Sequence, residues 1–332
     1  MTRRTLLASL TALIGAAASP PRSQMGVAST SFMTVRRPKD TLEFLAYCNS
    51  LGAGGIQASL ASLEAPYLAS LRKQAEANGM YLEVMSPLPS PTDSTRFEAI
   101  VKGAKQAGAL CLRAACLSGR RYETFASLDE WKAFVARSME ALRTAAKIVE
   151  RERMPLAIEN HKDWTLEEFE GILRDYSSEY IGVCLDTGNN MSLLDEPHQF
   201  VAALASYAIS THIKDMGLQD YPNGFLLAEV PLGEGVLQLK QIVETIRRAR
   251  PATRFTLEMI TRDPLEVPCL TDKYWVTMPA SRGPAMARML RQARQQQREL
   301  PRLSTLPAGS RATWEEENVK QCLAYSRSVL GV

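Results

Sequence analysis

Four residues of metal-ligand type stand at the ends of four successive apolar runs. LAIE closes on Glu159, GVCLD on Asp186, STH on His212 and FTLE on Glu258. A carboxylate that follows an apolar run needs a partner, because a charge held away from water without one is unfavourable. Three carboxylates and one imidazole form a hard, mostly oxygen donor set. Such a set suits one divalent ion, Mn2+, Mg2+ or Co2+, with Zn2+ also compatible. A lone Asp or Glu in such a place is as often a helix N-cap or a surface charge; four in succession favour the metal. The six cysteines are scattered and make no C-x-x-C pair, so sulfur has no part in this site.

Side chains two apart on a strand point the same way, which extends the set. His161 shares a face with Glu159, and Lys214 with His212. We expect His161 to hydrogen-bond substrate or join the ligands, and Lys214 to offer a cation to a hydroxyl, oxyanion or carboxylate. The competing reading is that the strand has ended and each faces water. Glu83 and Arg113, near the ends of two earlier runs, are weaker candidates, each equally suited to a structural ion pair. His198, after Pro197 at a helix start, reads as a surface residue.

The elements that must position these groups follow from the apolar patterning. Eight strand candidates begin at Met25, Gly54, Met80, Ala109, Pro155, Ile181, Ala208 and Arg254. Between them lie stretches with apolar residues at helical spacing, such as Leu42, Leu45 and Ala46, or Trp131, Phe134, Met139 and Leu142. Strands alternating with helices give an α/β fold, and eight such units give a closed (β/α)8 TIM barrel over residues 25–261. An open doubly wound sheet would carry a G-x-G-x-x-G turn after its first strand, and none is present. The Gly-rich piece from Gly52 to Gly55 precedes a strand and reads as a helix C-cap and loop. In a barrel, working groups sit at the carboxyl ends of the strands, where the quartet falls. Residues 262–332 form a C-terminal extension with helical stretches near Pro284 to Leu300 and from Trp314 to Leu330. It has two readings: a lid over the site, with Arg262 and Trp275 at the mouth, or a surface elaboration that joins copies in a homo-oligomer.

Residues 1–18, MTRRTLLASLTALIGAAA, have two arginines, an uncharged stretch and a small-residue cleavage site, the pattern of a signal peptide. The adjacent Arg3 and Arg4 also fit a twin-arginine signal. We therefore expect export to the periplasm of a bacterium, and no membrane span in the mature chain. The 332 residues carry a formal charge of +3, and removing Arg3 and Arg4 leaves +1. That balance argues against nucleic acid as a partner.

The strings ENH at Glu159, DTGN at Asp186 and HIKD at His212 resemble the xylose-isomerase-like barrels, a family with sugar-phosphate isomerases, ketose 3-epimerases and inosose dehydratases. The resemblance covers about residues 25–260. It implies that Glu159, Asp186, His212 and Glu258 bind one divalent ion, and that the substrate is a sugar-like small molecule. The ketose epimerases commonly place a substrate-binding histidine three residues after the aspartate. Asn189 stands there in this chain, so substrate handling is expected to differ. A trinuclear zinc endonuclease of the same family needs many histidines, and His161, His198 and His212 are too few.

The expected reaction is isomerisation or epimerisation of a sugar or keto-sugar. A proton leaves the carbon beside a carbonyl, an enediolate forms, and Glu159 and Glu258 act as base and acid, with His161, Lys214, Asn189 and Arg113 handling substrate. A lyase or hydrolase acting on an oxidised glycoside or cyclitol would use the same groups. The reading from another class is a periplasmic sugar-binding protein without turnover, for which two glutamates poised for proton transfer serve no purpose.

Overall fold

The computed structural model describes residues 22–33, 38–90, 92–176, 178–278, 282–296 and 299–332. The signal-peptide reading of residues 1–18 lies outside the described residues. Eight parallel strands run β1 (Gly26–Ala28), β2 (Gly55–Ala58), β3 (Tyr81–Met85), β4 (Leu112–Ala114), β5 (Leu156–Glu159), β6 (Ile181–Asp186), β7 (Ala208–His212) and, later in the chain, β10 (Thr256–Leu257). They neighbour one another in that order, with β10 beside β1. The sheet closes through a parallel bridge between Ile213 and Leu257, where Ile213 N donates to Thr256 O and Glu258 N donates to Ile213 O. The chain is therefore a (β/α)8 barrel. Each of the eight candidate runs supplies a barrel strand, although every run except IGVCLD is longer than the strand it supplies.

The strands are short and buried along nearly their whole length, as parallel strands covered on both faces should be. The helices around them bury one apolar stripe each. In α5 (Leu128–Glu152) this stripe includes Trp131, Phe134, Leu142 and Val149, and Ser127 caps its first turn by accepting from Glu130 N. Asp40 does the same for α1 (Thr41–Ser50). Gly52, after α1, sits at φ +80°, where a side chain would strain the turn into β2.

A feature not anticipated from the sequence follows β7. The chain makes an antiparallel hairpin, β8 (Asp215–Tyr221) and β9 (Gly224–Val230), and β11 (Leu265–Val267) adds to β9 as a third strand. Asp215 anchors the hairpin, its carboxylate accepting from the backbone N–H groups of Met216, Gly233, Gly235 and Leu237. The extension then packs α10 (Gly283–Gln295) and α11 (Ala308–Tyr325) on the barrel. Arg282 ties it down by donating to Leu193 O and to the carboxylates of Asp195 and Glu167, all at 2.7 Å. The two ends of the described chain meet: Ser23 Oγ donates to Val332 O at 2.8 Å and lies 2.7 Å from Ser326 Oγ. Among the described residues, no helix is long and apolar enough to cross a membrane.

Candidate metal centre

The four strand-end residues converge. One ligand atom from each of Glu159, Asp186, His212 and Glu258 lies within 4.8 Å of the others, and all four residues are buried. The strands β5, β6 and β7 end on the first three, and Glu258 follows β10 directly. The barrel turns neighbouring strand ends toward one axis, so residues far apart in sequence share one point.

The imidazole is oriented from behind. His212 Nε2 lies 2.7 Å from Gln57 Oε1, and Gln57 Nε2 donates to Glu83 Oε2 at 2.8 Å. A carboxylate accepts, so the amide nitrogen of Gln57 faces Glu83 and its oxygen must face a donor. His212 Nε2 therefore carries a hydrogen, and Nδ1 faces the acids, 3.2 Å from Glu159 Oε1 and 3.5 Å from Glu258 Oε1, which favour a proton there until a divalent ion takes its place. Ser210 Oγ and Thr256 Oγ1 also donate to Glu83 Oε2. Burial raises the Glu83 carboxyl above its ordinary range, against those hydrogen bonds. Glu83 is thus a hydrogen-bond anchor rather than an ion-pair member.

The acids fit a cation. Glu159 Oε2 and Asp186 Oδ2 are buried and accept no hydrogen bond, although Arg113 Nη2 touches the first and Lys214 Nζ stands 2.8 Å from the second in poor alignment. Two buried carboxylate oxygens that face cations without an aligned hydrogen bond, beside an imidazole nitrogen, form a donor set of the kind a divalent ion takes. Lys214 also reaches Glu258 Oε2 at 2.5 Å and Asn189 Oδ1 at 3.3 Å. Burial would raise Asp186, and the Lys214 ammonium overcomes this and brings it down to about 2. Burial pushes Glu258 the same way, and His212 and Lys214 hold it well below the usual carboxylate range.

A cavity of about 600 Å3 opens over this cluster, lined by Arg113, Arg120, His161, Lys162, Glu258 and Arg262 among others. Glu258 therefore meets the space a substrate would fill. Glu159 does not line it; Arg113, which does, touches its carboxylate. His161 faces the cavity with Nδ1 unpartnered, and burial first, then Lys162 and Arg113, keep the ring well below its ordinary pKa. Lys214 and Asn189 are fully buried and belong to the cluster's framework: Asn189 N donates to Asp186 Oδ1 at 2.7 Å and its Nδ2 to Glu159 Oε1 at 3.1 Å.

The sequence reading missed three members. Gln57 orients the imidazole. Glu229 on β9 pairs with Arg262 at 2.7 Å and faces Lys214 at 3.8 Å. Lys162 is buried, donates to Asn189 Oδ1, and is brought down to about 7 by burial and then by Lys214 and Arg262. Trp275, in α9 (Asp272–Trp275), is not among the cavity's lining residues. Its Nε1 donates to Cys269 O and its ring meets Tyr274 edge-on at 5.3 Å. These contacts support a packing role for Trp275 rather than a place in a lid. Cys111 and Cys184 are buried thiols and Cys116 is half-buried.

The model of the xylose isomerase-like TIM barrel matches residues 45–280, and the chain belongs to that family. Over 112 residues it is 28% identical to 3-oxo-isoapionate decarboxylase of Pectobacterium atrosepticum, a match to 33% of this chain. The chain spans about two fifths of the length of that relative, 41%. A xylose isomerase-like barrel from Mycobacterium smegmatis, crystallised with magnesium, superposes with a TM-score of 0.55 at 17% identity, over 81% of this chain and 98% of that one. An L-ribulose 3-epimerase gives 0.53 at 17%, over 83% and 99%. At such identities the structural likeness establishes the fold.

Proposed function

We propose that this protein is a metal-dependent isomerase or epimerase of a sugar or keto-sugar, working by proton transfer at the carbon beside a carbonyl. The observation that carries the reading is the quartet at the floor of the cavity, its four ligand atoms gathered within 4.8 Å of one another and Glu258 facing the space. A divalent ion, Mn2+, Mg2+, Co2+ or Zn2+, would supply positive charge at the substrate's carbonyl as the enediolate develops. Glu258 takes the proton from one side, while Thr30 Oγ1 and Lys214 Nζ hold its carboxylate in place. Glu159 serves the other side, reached past Arg113. His161, kept neutral, offers an acceptor and a donor to substrate hydroxyls.

A second reading, a lyase, has a specific observation behind it: the aligned relative is a decarboxylase, and the cavity wall is cationic. In that reaction the bond to the carboxylate carbon breaks, CO2 leaves, its bonding pair stays on the neighbouring carbon as the enediolate, and that carbon takes up a proton drawn from water and passed on by way of Glu258. The N-terminal pattern adds the proposal of periplasmic export, which fractionation of cells producing the full chain would check.

Metal-dependent exchange of solvent deuterium into candidate keto-sugars tests the main reading. Glu258→Gln and Glu159→Gln are expected to lose exchange by at least about 100-fold while keeping the fold. Near-normal exchange in either variant removes that glutamate from the proton transfer, and product analysis separates isomerisation from loss of CO2.

A further inference from the structure

The cavity wall is unevenly charged. Among its described lining residues are four cations, Arg113, Arg120, Lys162 and Arg262, and a single carboxylate, Glu258, which the metal centre claims. Three of the cations are partly answered by acids: Arg113 by Glu159, Arg120 by the exposed Glu123 at 2.6 Å, Arg262 by Glu229 at 2.7 Å. Lys162 is not. It is 3% exposed, forms no ion pair among the described residues, and has the amide oxygen of Asn189, shared with Lys214, as its hydrogen-bond acceptor. A backbone bridge sets Arg120 beside Lys162, with Arg121 N donating to Lys162 O, so two cations from neighbouring loops stand at one side of the cavity.

Burying an ammonium without a counter-charge is unfavourable, so Lys162 gives up its proton readily in the free protein, and an anion arriving with a ligand would restore the charge. Filling the quartet with a divalent ion makes the site more positive still. We propose that the substrate is an anionic keto-sugar, its carboxylate or phosphate seated between Arg120, Lys162 and Arg262 while its carbonyl end faces the quartet. This deepens the reading of the site as a proton-transfer centre and rests on it. Both anions share the chemistry the wall recognises, an oxygen-rich group able to take hydrogen bonds from two guanidinium groups and an ammonium.

The test is calorimetric titration of the Mn2+-loaded protein with three probes of related skeleton: neutral D-fructose, 5-keto-D-gluconate, which carries a carboxylate at the end remote from the ketone, and D-fructose 6-phosphate. One of the two anions is expected to bind at least about tenfold more tightly than D-fructose, and which one does so assigns the carboxylate or the phosphate. The preference should shrink to about threefold or less in Lys162→Met and in Arg120→Gln, the latter at a partly exposed position, and should weaken as salt is raised. D-Fructose binding as tightly as both anions, or a preference untouched in both variants, overturns the proposal. Metal content measured in the same samples separates the two levels: retained metal without anion preference sinks this inference alone, whereas protein that takes up no divalent ion sinks the metal-centre reading with it.

Discussion

The quartet can hold a metal only if His212 presents the correct nitrogen, and that choice is made two contacts away. Glu83 accepts, Gln57 turns its amide to suit, and His212 donates from Nε2. Replacing Glu83 by Gln would free the Gln57 amide to flip, placing an NH2 against Nε2 and a hydrogen on Nδ1, inside the quartet. We expect Glu83→Gln to lower metal affinity by roughly 10–100-fold with the fold retained, measured by competition with a chelator. An unchanged affinity would disconnect Glu83 from the imidazole. The four members of the quartet were legible because each ends an apolar run, where a charge stands out. Gln57 was not, because a polar residue inside GGIQA looks the same whether it faces the barrel interior or water until the closure of the sheet is known. Lys162 was missed for another reason: three residues past Glu159 the chain has left the strand, and alternation no longer reports which way a side chain turns.

At the level of elements, the eight strands were readable from apolar runs bounded by loops, and IGVCLD agrees with β6 residue for residue. The hairpin β8–β9 was not, since a scheme of alternating strands and helices has no place for two antiparallel strands after β7. Its consequence reaches the site, because β9 carries Glu229, the counter-charge of Arg262. β11 then fastens the start of the extension to β9, and α9 follows, where Trp275 donates to Cys269 O and meets the Tyr274 ring. Trp275→Ala is expected to lower stability by roughly 2 kcal/mol or more, as the loss of a large packed ring does, and to leave substrate affinity unchanged. Thermal melting beside titration checks it: a weakened affinity with an unchanged melting temperature would return Trp275 to the role of a lid.

For the molecule as a whole, the acids at the centre have internal counter-charges in Lys214, and the barrel should therefore stay folded without metal. Loading should still stabilise it, by about 2.7 kcal/mol when free ion exceeds its dissociation constant 100-fold, which for a chain of this size is a rise of several degrees. Elemental analysis is expected to give about one divalent ion per chain, and both the ion and the rise should vanish in Asp186→Ala combined with His212→Ala. Retention of metal by that double variant would remove the quartet as its binding site. The meeting of Ser23 with Ser326 and Val332 has a consequence of a different kind. The last described residue returns to the segment that leads into β1, so the order in which the barrel strands are joined is a matter of connectivity and not of packing. A circular permutant with Val332 joined to Arg22 by a short linker, and a new opening between the exposed Leu63 and Glu64, should fold and bind the same single ion. Its metal content and far-ultraviolet spectrum would show whether the barrel needs its native starting point.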